Sequence, residues 1–237
     1  EELRDLKSTG IGDEYIRLFF PHAETGELVL PETDERGFWV WPEGKKPAHC
    51  ECYTIRNARP GEIDLDFVVH EGGIASEWAQ GANPGDRIVI REPHGIYEAP
   101  ANADWFVFVA DATGLPALGR LLEGLPVGSE ARAIIEVPDA GHEQELTSPA
   151  SLKLVWLHGT GNGLAPSRLE EVLRTISVPE GRTPYVWVAG EARSTRAIRK
   201  YLRHELGWAP ALYSVTGYWT ADKEAWERSW AALDPAI

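Results

Sequence analysis

Methionine is absent from all 237 residues, and cysteine occurs only twice, as Cys50 and Cys52. A chain this long with no methionine, not even a first one, reads as a fragment or as a chain that lacks residues. On one strand the two cysteines, two apart, would point the same way, and a disulfide between them would be strained. Reduced thiols, and with them a cytoplasmic protein, are the expectation. Long hydrophobic runs are missing as well. No stretch of 18 apolar residues exists, which argues against a membrane-spanning helix. The first five residues, Glu1-Glu2-Leu3-Arg4-Asp5, hold no apolar signal region. Positive charge is scarce: 23 Lys and Arg face 37 Asp and Glu, a net charge of −14. That balance argues against non-specific nucleic-acid binding, which draws its affinity from cations on phosphates. It also repels an anionic substrate unless the site is locally basic; Lys45, Lys46 and Arg193 are the cations nominated for that role. Three signatures are absent too: the GxGxxG fingerprint, the P-loop and the serine elbow. His49, Cys50 and Cys52 have no fourth ligand nearby, so a zinc site is rejected.

What remains is an ordinary globular composition, 43% hydrophobic and 25% charged, enough for one large domain or two ordinary ones. Residues 1–14 are polar and read as a terminus or loop. Residues 15–20 alternate and are β-rich, and the strand stops at Pro21. Residues 21–48 carry repeated Pro and Gly breaks around Phe38, Trp39 and Trp41. That is too long for a hairpin loop, and a lid and an irregular excursion fit equally. Strands over 52–57 and 63–70 follow, joined by the turn Ala58-Arg59-Pro60-Gly61. Leu65, Phe67 and Val69 fall on one face, Asp64, Asp66 and Val68 on the other. A short helix over 74–79 and a tight turn, Asn83-Pro84-Gly85-Asp86, lead into a strand over 87–91. Residues 1–98 therefore read as an antiparallel β-barrel with one short helix.

After a linker at 99–102 the pattern changes. The continuous apolar run 105–110 is that of a strand buried on both faces. A helix over 115–123 follows, then strands over 131–137 and 152–157 separated by an acidic loop, 138–149. A helix over 166–173, a strand over 185–189, an amphipathic helix over 194–205, a strand over 211–215 and a last helix over 222–232, with Trp226 and Trp230, complete the chain. Strand–helix alternation of this kind means a parallel sheet with a crevice at its carboxyl edge, so 104–237 is a Rossmann-like α/β domain.

A barrel followed by an α/β sheet suits a flavin enzyme, one lobe holding the flavin and the other bringing a reductant to it. Tyr53 lying on the isoalloxazine with Thr54 bonded to a ring nitrogen is one reading; two ordinary strand residues is the other. Arg56 fits either the ribityl–phosphate region or a surface salt bridge. Gly72-Gly73-Ile74-Ala75-Ser76 sets N–H groups at a helix N-terminus, where a pyrophosphate is favoured, although a plain turn and N-cap explains the same residues. His70 just before that turn is either a packed strand-end histidine or a neighbour of the flavin. Asp111-Ala112-Thr113-Gly114 and Val188-Ala189-Gly190-Glu191 each end a strand at the expected ligand edge, and each is also a common connector. The glycine-rich run from His158 to Gly163 matches no phosphate consensus and reads as a flexible loop.

Taken jointly, YTIR (53–56), DLDFVVH (64–70), GIASEWA (73–79), PGD (84–86), ADATGLPAL (110–118), YVWVAGE (185–191) and TGYW (216–219) occur in the order of a known family. The chain resembles the siderophore-interacting proteins, FAD-dependent ferric-siderophore reductases of the ferredoxin-reductase-like superfamily. The resemblance implies an α+β two-lobe fold, with an antiparallel FAD barrel over 1–98 and a nicotinamide or electron-donor domain over 104–237. It implies that Tyr53, Thr54 and Arg56 contact FAD, that His70 lies near it, and that Ala75, Ser76 and Trp78 surround its pyrophosphate. Asp111 and Thr113 would border the flavin, Tyr218 and Trp219 would end near the isoalloxazine face, and Ala189, Gly190 and Glu191 would lie on the electron-donor side. Electrons would pass from NAD(P)H or reduced ferredoxin through FAD to the Fe(III) of a siderophore, releasing Fe(II). No catalytic acid or base is named, since the protein's part would be placement and electrostatics. The competing readings are a general flavin reductase domain and a non-catalytic flavin- or siderophore-binding protein. The family usually carries an arginine two residues before the motif tyrosine, where this chain has Glu51.

Overall fold

The computed structural model of the chain describes residues 3–222, which divide into two compact units. The first comprises residues 3–9, Tyr15–His94 and Asp222. It contains β1 (Tyr15–Phe20), β2 (Glu32–Thr33), β3 (Trp39–Val40), β4 (His49–Thr54), β5 (Asn57–Arg59), β6 (Glu62–Asp64), α1 (Ile74–Gly81) and β7 (Val89–Ile90). Every pairing in it is antiparallel, and β1 is the middle strand of the sheet β4-β1-β7.

The reason β1 is central is that both its faces are apolar. Ile16, Leu18 and Phe20 pack with Ile55 and Ala75, while Phe19 packs the other way with Ala48 and Cys50. The segment 21–48 covers that second face. Its small β2–β3 hairpin brings Trp39 to 5.5 Å and Trp41 to 6.5 Å from the Phe19 ring. Cys50 is buried and Cys52 exposed, both free thiols, and burial pushes the Cys50 thiol up to about 12.

The two expected strands after Glu51 are differently divided. The first ends at Thr54 and pairing resumes at Asn57; the second ends at Asp64 rather than at residue 70. The short hairpin β5–β6 is closed by the Arg59 guanidinium on Asp64, at 2.6 and 2.7 Å, which holds the Asp64 carboxyl down at about 2. Beyond it the backbone leaves the ladder, yet Leu65 and Phe67 still turn inward to the core. Val69 does not follow them and is exposed. The expected strand over 87–91 pairs only at Val89–Ile90.

The second unit comprises Gly10–Glu14 and Gly95–Ala221. It holds β8 (Trp105–Ala110), α2 (Leu115–Glu123), β9 (Glu130–Val137), β10 (Ser151–His158), α3 (Leu169–Leu173), β11 (Pro184–Glu191), α4 (Ala192–Lys200) and β12 (Tyr213–Trp219). The sheet is parallel in the order β10-β9-β8-β11-β12. Alternate residues of β8 serve opposite faces: Phe106 and Phe108 pack with Leu118 and Leu122 of α2, and Trp105, Val107 and Val109 with Leu169 and Ile198 of α3 and α4. Strand order reverses between β8 and β11, and such a switch point opens a crevice at the strands' carboxyl ends.

The described part of the polar N-terminal stretch, residues 3–14, is not a simple loop. Asp13 and Glu14 are fully buried, and the Asp13 carboxylate accepts from the N–H groups of Ile96 (2.9 Å) and Tyr97 (2.8 Å) and from Trp187 Nε1 (3.2 Å). The helix expected over 166–173 begins only at Leu169, after Pro166 and Ser167. The strand expected over 211–215 is displaced by a tight turn at Pro210–Leu212, so β12 runs on to Trp219. The expected helix over 222–232, with Trp226 and Trp230, lies outside the described residues. Among the described residues, no helix is long and apolar enough to cross a membrane.

Candidate functional site

In the first unit the side chains of β4 alternate, and His49, Glu51 and Tyr53 share one face. The half-buried Tyr53 lays its ring on Phe67, with centroids 4.3 Å apart and planes tilted by 36°. Phe67 continues to Trp78 at 6.5 Å, and Trp78 meets Phe20 edge-on at 5.6 Å. Tyr53 and Trp78 are thus two rungs of one aromatic ladder, with Phe67 between them. Burial raises the Tyr53 phenol above its usual range, reinforced by the neighbouring Glu51 charge. Thr54 is buried beside it, opposite Tyr15 in the register.

The glycine turn leads into α1, whose first turn has no side-chain cap among the described residues. Ser76 is buried and spends its hydroxyl on the turn: Oγ accepts from the His70 N–H and donates to the His70 carbonyl, both at 2.9 Å. His70 itself is exposed, and a Cβ at Gly73 would run into its ring. Ala75 is buried in the unit's core. Arg56 is half-buried, and its N–H donates to the Asp64 carbonyl at 2.8 Å. An aromatic ladder and an uncapped helix start, in one small unit, have the chemistry to hold a flat ring and an anionic phosphate. The residues present therefore fit FAD. The open hollow of about 420 Å³ beside this helix includes Glu71 and Glu77 in its lining, so the phosphate reading rests on the backbone N–H groups and not on that hollow.

In the second unit Asp111 follows β8 at the switch point and is buried. Four donors converge on its carboxylate. Oδ1 accepts from the N–H (2.9 Å) and the hydroxyl (2.6 Å) of Thr113; Oδ2 accepts from the N–H of Glu191 (2.8 Å) and from Trp219 Nε1 (2.7 Å). Burial pushes the Asp111 carboxyl up, and these bonds offset only part of that rise. A Cβ on Gly190 would stand 2.8 Å from Oδ2, and the β11–β12 register shifts between Gly190 and Glu191. Glu191 caps α4, accepting from the N–H groups of Arg193 (2.6 Å) and Ser194 (2.9 Å). Ala189 is buried within β11, and Tyr218 meets the Trp187 ring edge-on at 6.4 Å. Asp111, Thr113, Glu191 and Trp219 thus form one hydrogen-bonded cluster.

The run His158–Gly163 is pinned at three places. Thr160 donates its hydroxyl to buried Glu136 at 2.9 Å, Gly161 donates its N–H to the Ala165 carbonyl at 3.1 Å, and Asn162 Oδ1 accepts from the Ala112 N–H at 3.0 Å. Glu136 also accepts from the Arg168 N–H at 2.5 Å, while its Oε2 has no partner among the described residues. Gly161 has φ +61°, and a Cβ there would collide with that carboxylate. Gly161→Ala is expected to cost about 2 kcal/mol, from left-handed backbone strain plus the collision. Gly159→Ala, with φ +68° and open space around it, should cost only the backbone strain of about 1 kcal/mol. Urea unfolding of both variants checks this; equal costs would remove Glu136 from the account.

Among the residues the sequence reading left out are Phe67 as a ring partner, Glu51 as a hydrogen-bonding group, Asp13 and Asn162. The strand read from the sequence starts at Cys52, one residue past Glu51, so its alternation did not reach that side chain. Asp13 and Asn162 had none, since their partners lie 174 and 50 residues away. Of the cations nominated for a basic pocket, Lys45 is paired with Glu27 at 2.5 Å and Arg193 lies exposed at the start of α4. The Lys46 carbonyl lies 2.9 Å from His22 Nε2.

Comparison with known proteins gives concordant matches to both units. The model of the siderophore-interacting FAD-binding domain matches residues 1–97, and that of the siderophore-interacting protein matches residues 103–222. The chain is 32% identical over 213 residues to the ferric vibriobactin reductase ViuB of Vibrio cholerae, covering 88% of this chain and 77% of that one. It is 28% identical over 224 residues to the NADPH-dependent ferric-chelate reductase of Escherichia coli, covering 93% and 84%. The crystal structure of a siderophore utilization protein from T. fusca superposes with a TM-score of 0.79 at 35% identity, over 93% of this chain and 84% of that one. The chain belongs to the siderophore-interacting protein family and has its ferredoxin-reductase-like fold.

Proposed function

We propose that this chain is an FAD-dependent oxidoreductase that reduces ferric siderophores, taking its electrons from NAD(P)H. Bound FAD would supply the conversion of a hydride's two electrons into single ones, so that one NAD(P)H would reduce two Fe(III) to two Fe(II), leaving NAD(P)+ and a proton. Fe(II) is held less tightly by the hard oxygens of a siderophore, and it leaves. The first unit holds the cofactor. Tyr53, backed by Phe67, offers its ring to the isoalloxazine, Thr54 and Arg56 flank it, and the start of α1 at Ala75, Ser76 and Trp78 receives the pyrophosphate, with His70 alongside. The second unit receives the donor at Ala189, Gly190 and Glu191, while Asp111 and Thr113 hold Trp219 and the end of β11 in place and Tyr218 lies against Trp187.

The observation that carries this reading is the uncapped first turn of α1 in the same unit as the Tyr53–Phe67–Trp78 ladder. Relatives named a ferric vibriobactin reductase and an NADPH-dependent ferric-chelate reductase support it. The test is spectroscopic first. Purified protein, with FAD added, should show visible flavin absorbance that survives desalting. Under anaerobic conditions NADPH or NADH should bleach that absorbance, and a ferric siderophore with an Fe(II) trap should restore it in step with trapped iron. Reduced ferredoxin is assayed beside the nucleotides as the competing donor. Protein that retains no flavin sinks the reading. Flavin reduced by NAD(P)H but indifferent to every ferric chelate leaves a general flavin reductase instead.

A further inference from the structure

Glu51 lies on β4 two residues before Tyr53, and its surroundings say what it does. Glu51 commits both carboxylate oxygens along its own strand. Oε2 accepts from the Tyr53 hydroxyl at 3.2 Å, and Oε1 lies 2.5 Å from His49 Nε2. Glu51 and His49 are each about three-quarters buried, with side-chain exposures of 22% and 25%, and the His49 ring sits 6.1 Å from that of Phe20. Tyr53 is therefore held at both ends, by Phe67 under the ring and by Glu51 at the hydroxyl. A carboxylate cannot neutralise a phosphate, and one already bonded to two partners has no reason to leave them.

We propose that Glu51 is the positioning residue of Tyr53, steadied by His49, and that it orients the ring that faces the flavin. This rests on the flavin reading given above. Two separable consequences follow. The hydrogen bond orders the phenol, so a change that removes it alters the asymmetric surroundings of the bound flavin. The negative charge beside the ring disfavours the electron-rich reduced flavin, so a change that removes only the charge raises the midpoint potential.

The experiment uses the full chain and its Glu51→Ala, Glu51→Gln, Tyr53→Phe and Glu51→Ala/Tyr53→Phe variants. FAD affinity, visible circular dichroism of the bound flavin and the midpoint potential are measured for each. Glu51→Ala and Tyr53→Phe should each weaken FAD binding about fivefold, the loss of one net hydrogen bond, and change the dichroism alike. The double variant should be no worse than either single one, because both remove the same bond. Glu51→Gln should keep the wild-type dichroism, its amide oxygen still accepting from the phenol, while raising the potential. Additive losses in the double variant, or a Glu51→Ala protein with wild-type affinity and dichroism, would overturn the proposal alone. A wild-type chain that takes up no FAD would overturn it together with the flavin reading.

Discussion

Asp111→Ala is expected to destabilise the second unit by about 4 kcal/mol, because four part-buried donors lose their acceptor at once and each unpaired donor costs about 1–3 kcal/mol before water fills part of the gap. Those donors belong to three separate pieces of chain: the turn at Thr113, the end of β11 at Glu191 and the end of β12 at Trp219. The loss should therefore go beyond a lower unfolding midpoint. Trp219 should lose its fixed orientation, which near-ultraviolet circular dichroism reads. Asp111→Asn is the sharper variant. Each carboxylate oxygen accepts two donors, so one flip sets the amide NH2 against the Glu191 N–H and Trp219 Nε1, and the other sets it against the Thr113 N–H, with only the Thr113 hydroxyl able to turn and accept. It should cost about 2 kcal/mol despite its near-identical shape. Equilibrium urea unfolding measures both, and a cost below about 1 kcal/mol for the alanine variant would show that the cluster is not a structural hub.

Tyr53→Ala should raise the FAD dissociation constant about 100-fold, since loss of an aromatic face worth about 2–3 kcal/mol corresponds to two decades of affinity. The half-buried ring is one end of the ladder that runs through Phe67 to Trp78. Its removal takes away the stacking surface, and Phe67 and Glu51 lose a partner with it. Flavin titration followed by fluorescence quenching measures the change, with Tyr53→Phe as the control, expected to stay within about fivefold of the wild type because it keeps the ring. Full affinity in the alanine variant would place the flavin elsewhere in the unit.

How far these sites were legible in the sequence depends on how local their causes are. β8 over Trp105–Ala110 and α2 over Leu115–Glu123 coincide with the sequence reading residue for residue. A strand buried on both faces is written as an unbroken apolar run, and its helix begins just after, at Pro116 and its neighbours. The first unit is less legible because its pairing is short. The alternation over 63–70 correctly turned Leu65 and Phe67 inward, but alternation reports which side chains face a core and not whether the backbone has a strand beside it. Among the described residues, the backbone of 65–70 has none. At the other end of the chain, the strand reading at 211–215 stopped before Tyr218 and Trp219, two proposed site residues that β12 carries.

By itself the sequence determined the two-part grammar, the positions of the flavin-family motifs and the acidic balance that argues against nucleic acid. Each of these is a matter of composition or of spacing within a few residues. The tertiary structure alone decided who meets whom. It brought Glu191 and Trp219 to Asp111 across 80 and 108 residues, buried Asp13 under Trp187, and wrapped 21–48 over Phe19. Such contacts depend on chain closure over long distances, where no local pattern names the partner and only the competition to bury apolar surface and satisfy every buried polar group selects it.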